Sequence, residues 1–162
     1  RNEIVGEHKG LHRSLLFNLS TELIKRYSDW YGNLKYSKRR DFKIYQKKDG
    51  SWSSLYLDWL VGNKDLRLEI GLWPGDNEEN EGCCIFVWFR SQIDPVNYTL
   101  FMESTRCLSD TFGYIDESKK NKPMMTKYFE HGIDIKELKQ SIFEQMENIK
   151  PVIESIMNNY MP

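Results

Sequence analysis

Two stretches of alternating apolar residues, joined by a short turn, constrain the fold of this chain more than any other feature. Every second residue is apolar in residues 53–61, and the same period continues in residues 66–73. A period of two places alternate side chains on opposite faces of a strand. Gly62-Asn63 is a turn signal, because both residues tolerate the positive φ angles of a tight hairpin. The sequence therefore predicts an antiparallel hairpin with one apolar face.

Further strands and helices are predicted on either side of this hairpin. A strand over residues 41–47 precedes a Lys-Asp-Gly-Ser turn, and residues 83–90 form a strand that is apolar on both faces, as is typical of a central or doubly covered strand. A short strand near residues 128–130 is optional. Apolar residues at three- and four-residue spacing, with aspartates as N-cap signals, indicate the helices. The predicted helices cover residues 11–31, 94–112 and 134–160.

The predicted fold class is α+β, a four-stranded antiparallel meander packed on three helices in the order α-β-β-β-β-α-(β)-α. A chain of 162 residues is long enough for a single domain, residues 1–162. The polar residues 1–10 are expected to form a flexible N-terminal segment. The first residue is not methionine, as in a piece of a longer chain, although disordered leading residues would look the same.

Alternation also divides the side chains between the two faces of the predicted sheet. Leu57, Leu68, Ile70 and Val87 are predicted to lie in the core, because a slip of one residue would expose all of them. The opposite face is unusual in being both polar and aromatic. It is predicted to carry Lys43, Tyr45, Lys47, Tyr56, Asp58, Arg67, Glu69, Trp73, Phe86, Trp88 and Arg90.

Charge is distributed unevenly along the chain, although the net charge is only −1. Lysine, arginine, aspartate and glutamate sum to +7 in residues 1–48, −9 in residues 49–117 and +1 in residues 118–162. Domains that hold nucleic acid are usually more basic overall. The segment 35–48 is nevertheless basic and contains three aromatic residues, a combination that suits phosphates and unpaired bases.

These features favour non-catalytic recognition of a macromolecule, either a protein or a nucleic acid. Exposed tryptophan, tyrosine and arginine dominate the energy of protein interfaces, whereas the basic segment favours nucleic acid. A third interpretation is that the last helix or residues 114–133 cover this face and make it a second core. The candidate binding residues are Arg39, Arg40, Lys43, Tyr45, Lys47, Tyr56, Arg67, Trp73, Trp88 and Arg90.

Asp58 and Glu69 also suggest a metal site. Two carboxylates on one face of neighbouring strands can hold a divalent ion that activates water. This arrangement resembles the PD-(D/E)xK nuclease pattern, which implies a metal-dependent nuclease as the alternative function. The sequence departs from that pattern because no proline precedes Asp58 and Gly71 stands where the lysine belongs. The sequence therefore predicts that Arg67 pairs with one of the two acids, and that the chain has no such nuclease activity.

The remaining features exclude several classes of function. No glycine-rich phosphate loop or metal-ligand spacing is present, so no cofactor and no metal are expected. No apolar run approaches the length of a membrane span, so no membrane partner is expected. Three cysteines without a disulfide framework suggest a reducing, cytoplasmic setting. The lysine- and asparagine-rich, alanine-free composition suits a low-GC microbe or one of its viruses. The oligomeric state stays open.

Overall fold

A computed structural model describes residues 2–34, 42–73, 82–130 and 134–162, with side chains from Ser14 onward. Within these ranges the chain forms an antiparallel sheet of six strands together with four helices. The predicted α+β class is therefore confirmed, with six strands where the sequence indicated four and an optional fifth.

The helices are α1 (Asn2–Asn33), α2 (Pro95–Ser104), α3 (Arg106–Thr111) and α4 (Ile135–Asn159). The strands are β1 (Lys43–Gln46), β2 (Ser53–Val61), β3 (Lys64–Trp73), β4 (Gly82–Phe89), β5 (Ile115–Asp116) and β6 (Met124–Tyr128). Their order in the sheet is β1-β2-β3-β4-β6-β5, and all pairs are antiparallel.

Three elements differ most in extent from the prediction. The optional strand begins earlier than expected, as β6, and pairs with β4. The predicted helix at 94–112 is divided in two at Thr105. Helix α1 begins at Asn2 and so includes most of the segment predicted to be flexible, whose flexibility stays a prediction.

The core lies between one face of the sheet and the helices. Leu57, Leu68, Ile70 and Val87 are all buried there, at 2% exposure or less, which confirms the predicted assignment of faces. Apolar side chains from α1 and α4 belong to the same cluster. The strict alternation in β2 and β3 is sufficient to orient the sheet, because only one register buries every apolar side chain together.

The two-sided apolar character of β4 follows from its position. Strands β3 and β6 flank it, which confirms the prediction of a central strand. Ile85 and Val87 enter the main core, whereas Cys84 and Phe86 are buried on the opposite face. The sheet therefore has a second, smaller buried layer beneath the candidate surface.

Helix α1 is attached directly to the strand that carries one of the candidate acids. The Tyr31 hydroxyl donates a 2.8 Å hydrogen bond to the backbone carbonyl of Asp58. Tyr27 and Trp30 donate to glutamates of α4, each at 2.8 Å. These contacts hold the helix layer against β2 and so set the position of Asp58 from the core side.

Leu68→Ala is expected to lower the free energy of unfolding by about 2–5 kcal/mol, because it removes buried methyl groups and leaves a cavity. Chemical denaturation measures the change. Leu60→Ala, in the neighbouring strand at 42% exposure, is the matched control with a much smaller expected loss. A loss at Leu68 below about 0.5 kcal/mol would contradict the assignment of faces.

Candidate functional site

The strand register brings most of the predicted polar and aromatic residues together on the sheet face opposite the core. Tyr56 lies opposite Glu69, and Arg67 lies opposite both Asp58 and Trp88. We call this surface the polar-aromatic face. It comprises Lys43, Tyr45, Trp52, Ser54, Tyr56, Asp58, Arg67, Glu69, Gly71, Trp73, Cys84, Phe86, Trp88, Thr126 and Tyr128.

Arg67 is the central group of the polar-aromatic face. Its Nε and Nη2 atoms donate to the two carboxylate oxygens of Asp58 at 2.6 and 3.1 Å, a fork of two parallel hydrogen bonds. Its Nη1 atom lies 3.8 Å from Glu69 Oε1, and its Cζ atom lies 3.8 Å from the centre of the Tyr56 ring. The predicted pairing of Arg67 with an acid is confirmed, and it involves both acids.

The Arg67 guanidinium is held as a cation although little of it meets solvent. Burial disfavours its charge, but the hydrogen bonds and charge of Asp58 and the charge of Glu69 outweigh that effect and raise the pKa of Arg67 above its ordinary value. The side chains of Arg67 and Asp58 are only 12% and 2% exposed. Water therefore screens this ion pair less than it screens a surface pair.

Glu69 is the less well compensated of the two acids. Burial raises the pKa of its carboxyl, and the neighbouring Ser54, Arg67, Trp88 and Trp52 offset only part of that increase. One cation faces two carboxylates here, so the ionised cluster carries an excess negative charge. An under-compensated buried carboxyl keeps its proton to a higher pH than an exposed one does.

Two buried polar atoms beside Glu69 have no hydrogen-bond partner within the described residues. They are the Ser54 hydroxyl and the Trp88 indole nitrogen. Both side chains favour the ionised form of Glu69 and so offset part of the effect of its burial. Unpaired buried donors are uncommon in folded proteins and each costs about 1–3 kcal/mol.

Five aromatic rings form a continuous row across the polar-aromatic face. The row runs through Trp88, Phe86, Trp52, Trp73 and Tyr128, with neighbouring ring centres 5.8–6.2 Å apart. The indoles of Trp52 and Trp73 are within 6° of parallel. Each such aromatic pair stabilises the fold by about 0.5–1.5 kcal/mol beyond the contribution of its buried area. Contacts between neighbouring rings therefore help to hold the rings of the row in place.

Two glycines allow the indoles to lie close to the sheet. The Trp52 ring lies over Gly71 and the Trp73 ring lies over Gly82, and a Cβ atom at either glycine would collide with the ring above it. Glycine within a strand marks such a close approach of another group. The two glycines therefore allow the indole rings of Trp52 and Trp73 to pack directly against the sheet.

The row stays partly accessible. Trp52, Trp73 and Trp88 are half-buried, and Tyr128 is 48% exposed. The core helices pack on the other face, and residues 115–128 extend the sheet as β5 and β6. The interpretation that residues 114–133 fold over this face is therefore wrong for the part of that segment that the structure describes.

The remaining predicted residues lie at the margins or outside the described ranges. Lys43, Tyr45 and Lys47 are exposed at the β1 edge. Arg90 is exposed at the far end of the face, with its Nη1 atom 3.8 Å from Asp65 Oδ2. Arg39 and Arg40, the basic residues expected to contact phosphate, lie outside the described residues.

Sequence reasoning missed Trp52, which lies before the first residue of β2 and was not assigned to a face. The sequence signal for the position of Trp52 is Gly71, because a glycine within a strand leaves room for a ring to pack against the backbone. Ser54 and Thr126 were also missed, since small hydroxyl residues in strands carry no distinctive pattern. Only the register shows that they lie beneath the rings.

Comparison with known proteins does not assign the chain to a group: no protein-family model, curated protein or solved structure matches it. Among the described residues, no helix has the length and apolar character needed to cross a membrane. The same part of the chain contains no group of three or more histidine, cysteine, aspartate or glutamate side chains arranged to hold a metal ion.

Arg67→Met is expected to lower the free energy of unfolding by about 3–5 kcal/mol, because it leaves Asp58 buried without its cation. Adding Asp58→Asn should recover part of that loss, since the double variant has no buried charge at this pair. Arg90→Met is the control, and its exposed pair should contribute about 0–1 kcal/mol. Equal losses at Arg67 and Arg90 in urea denaturation would contradict the central role of Arg67.

Glu69→Gln is expected to become more stabilising relative to the wild type as pH rises. The pKa of Glu69 in the folded protein lies above its ordinary value of 4.5, so the folded state binds the proton more tightly than the unfolded state. The contribution of Glu69 to stability is therefore largest below pH 4.5 and decreases as pH rises through the folded pKa.

Denaturation of both proteins across that pH range measures the difference. The contribution of the Asp58–Arg67 pair is common to both proteins and cancels in the difference between their unfolding free energies. Burial raises the pKa of Cys84 to about 12, so this thiol stays neutral throughout. A difference that is constant with pH would show that Glu69 is not destabilised by its burial.

Proposed function

We propose that this chain is a non-catalytic recognition domain that binds a protein partner through the polar-aromatic face. The observation that carries the proposal is the row of contacting rings across this face, in which Trp52, Trp73 and Trp88 are half-buried and Tyr128 is exposed. Tryptophan and tyrosine offer large contact areas at a small cost in conformational entropy. Rings that are already ordered before binding reduce that cost further.

The charges beneath the rings favour a protein over a nucleic acid. Asp58 and Glu69 outnumber Arg67 at the centre of the face. The segment that joins Trp73 to Gly82 adds four carboxylates in sequence. A phosphate backbone would be repelled by these groups, whereas a protein segment can supply compensating donors.

The same geometry disfavours the nuclease alternative. Both oxygens of Asp58 accept hydrogen bonds from Arg67, and its charge is thereby largely neutralised. A divalent ion would have to compete with a guanidinium that is already in place.

The burial of Cys84, which raises its thiol pKa to about 12, likewise disfavours a nucleophilic role for that residue. A reducing, cytoplasmic setting belongs to the proposal, because all three cysteines are free thiols.

Selection from a displayed random-peptide library tests the proposal. Peptides that bind the wild-type protein are expected to lose at least about tenfold in affinity, or 1.4 kcal/mol, for the double variant Trp73→Leu/Tyr128→Ala. The matched control is Phe17→Ala/Val96→Ala, which removes two exposed apolar side chains from the helices at 66% and 61% exposure. Its affinity for the same peptides should be unchanged.

Three results would contradict the proposal. One is a selection in which no peptide distinguishes the face variant from the control. The second is salt-sensitive binding of single-stranded DNA or RNA that weakens when Arg39, Arg40 and Lys43 become glutamine. The third is cleavage of plasmid or oligonucleotides with Mg²⁺ or Mn²⁺ that disappears in Asp58→Asn or Glu69→Gln, which would establish the nuclease alternative.

A further inference from the structure

The end of the polar-aromatic face formed by β5 and β6 is accessible to solvent. Tyr128 is 48% exposed, and Ile115, which lies opposite Thr126 and therefore on the same face, is 55% exposed. The Tyr128 hydroxyl donates to the half-buried Glu117 carboxylate, and its oxygen lies 2.8 and 3.0 Å from the two carboxylate oxygens. A partner can reach these groups without displacing a ring or opening the buried layer beneath.

Trp73 and Tyr128 form an aromatic corner at this end of the face. Their ring centres are 6.2 Å apart and their planes meet at 75°. A cation that is attracted to an aromatic ring lies within about 6 Å of the ring centre. Because the two planes are nearly perpendicular and the rings are in contact, one cation can satisfy that distance for both rings. The Glu117 carboxylate beside Tyr128 supplies the opposite charge.

The chain contains the same arrangement between α1 and α4, where a lysine completes it. The rings of Tyr27 and Trp30 are 6.5 Å apart at 79°, and the Tyr27 hydroxyl donates to Glu147 at 2.8 Å. Lys150 Nζ lies 5.5 and 5.8 Å from the two ring centres and 3.7 Å from Glu147 Oε2. A tyrosine, a tryptophan and a glutamate in this geometry therefore hold one ammonium group.

The aromatic corner on the polar-aromatic face lacks a cation from the part of the chain that the structure describes. No lysine or arginine of these residues lies over Trp73 or Tyr128, and none forms an ion pair with Glu117. Lys127 is next to Tyr128 in sequence, but its Nζ atom donates to the backbone carbonyl of Phe112 at 2.8 Å. The corner can therefore receive a cation from another molecule.

We infer that the protein partner places a lysine side chain in the corner of Trp73 and Tyr128, with its ammonium group paired to Glu117. The exposed Ile115, two residues from Glu117 on the same face, offers apolar surface to the methylene groups of that lysine. This inference rests on the proposed function, and it names the kind of residue in the partner that the face recognises.

Nuclear magnetic resonance titration of the whole chain with short blocked peptides tests the inference. The probes are Gly-Lys-Gly-Lys-Gly and the same peptide with norleucine, which keeps the methylene groups and has no charge. The lysine peptide is expected to bind at least about fivefold more tightly, because only the ammonium group gains from the rings and the carboxylate. It should shift the indole N–H signal of Trp73 and leave that of the core residue Trp59 in place.

Two variants separate the contributions of the charge and the ring. Glu117→Gln removes the charge and keeps the shape, and Tyr128→Leu removes one ring; each should weaken the lysine peptide by at least about threefold. Glu144→Gln, at an exposed position of α4, makes the same change in net charge away from the face and should alter the affinity by less than about 1.5-fold. An unchanged Trp59 signal shows that each variant is folded.

Equal binding of the lysine and norleucine peptides would overturn the inference, and so would equal effects of Glu117→Gln and Glu144→Gln. Neither result would remove the proposed function, because the library selection does not depend on charge. A failed library selection would instead remove the proposed function, and with it the lysine of the partner, even if the aromatic corner binds the peptide.

Discussion

The ion pair between Arg67 and Asp58, with Glu69 and Tyr56 around it, is the interaction on which the polar-aromatic face depends. A guanidinium that is 12% exposed beside a carboxylate that is 2% exposed is tolerable only because the fork and the ring beneath it replace water. The fork satisfies both oxygens of Asp58, and the remaining Nη1 atom of Arg67 lies 3.8 Å from Glu69 Oε1. One cation is thus shared between two acids at the centre of the face.

The aromatic row lies on the same sheet face as this charged cluster. Gly71 and Gly82 let two indoles lie flat on the strands, and the rings in turn exclude water from the carboxylates beneath. Exclusion of water strengthens every electrostatic interaction in this layer. Rigidity and electrostatics therefore have the same cause, which is the packing of large rings over positions without side chains.

The chain shares the two acidic residues of the metal-dependent nuclease pattern but not the residues that the chemistry of that pattern needs. Asp58 and Glu69 do lie on one face of neighbouring strands, as the pattern requires. Two residues differ from the nuclease pattern. Arg67 lies between the two acids, where a metal ion would be held, and Gly71 stands at the sequence position of the lysine. The two carboxylates therefore hold a guanidinium of the chain itself, and a catalytic metal ion would have to compete with it.

Local alternation by itself determined which face of the hairpin is apolar, since a period of two leaves only one register that buries Leu57, Leu68 and Ile70 together. Capping signals at Asp94 and Asp134 likewise set the starts of two helices without help from the rest of the fold. Contacts between strands distant in sequence decided the rest. The addition of β6 beside β4, the position of Trp52 over Gly71 and the unpaired atoms around Glu69 all depend on register and side-chain packing, which no local pattern encodes.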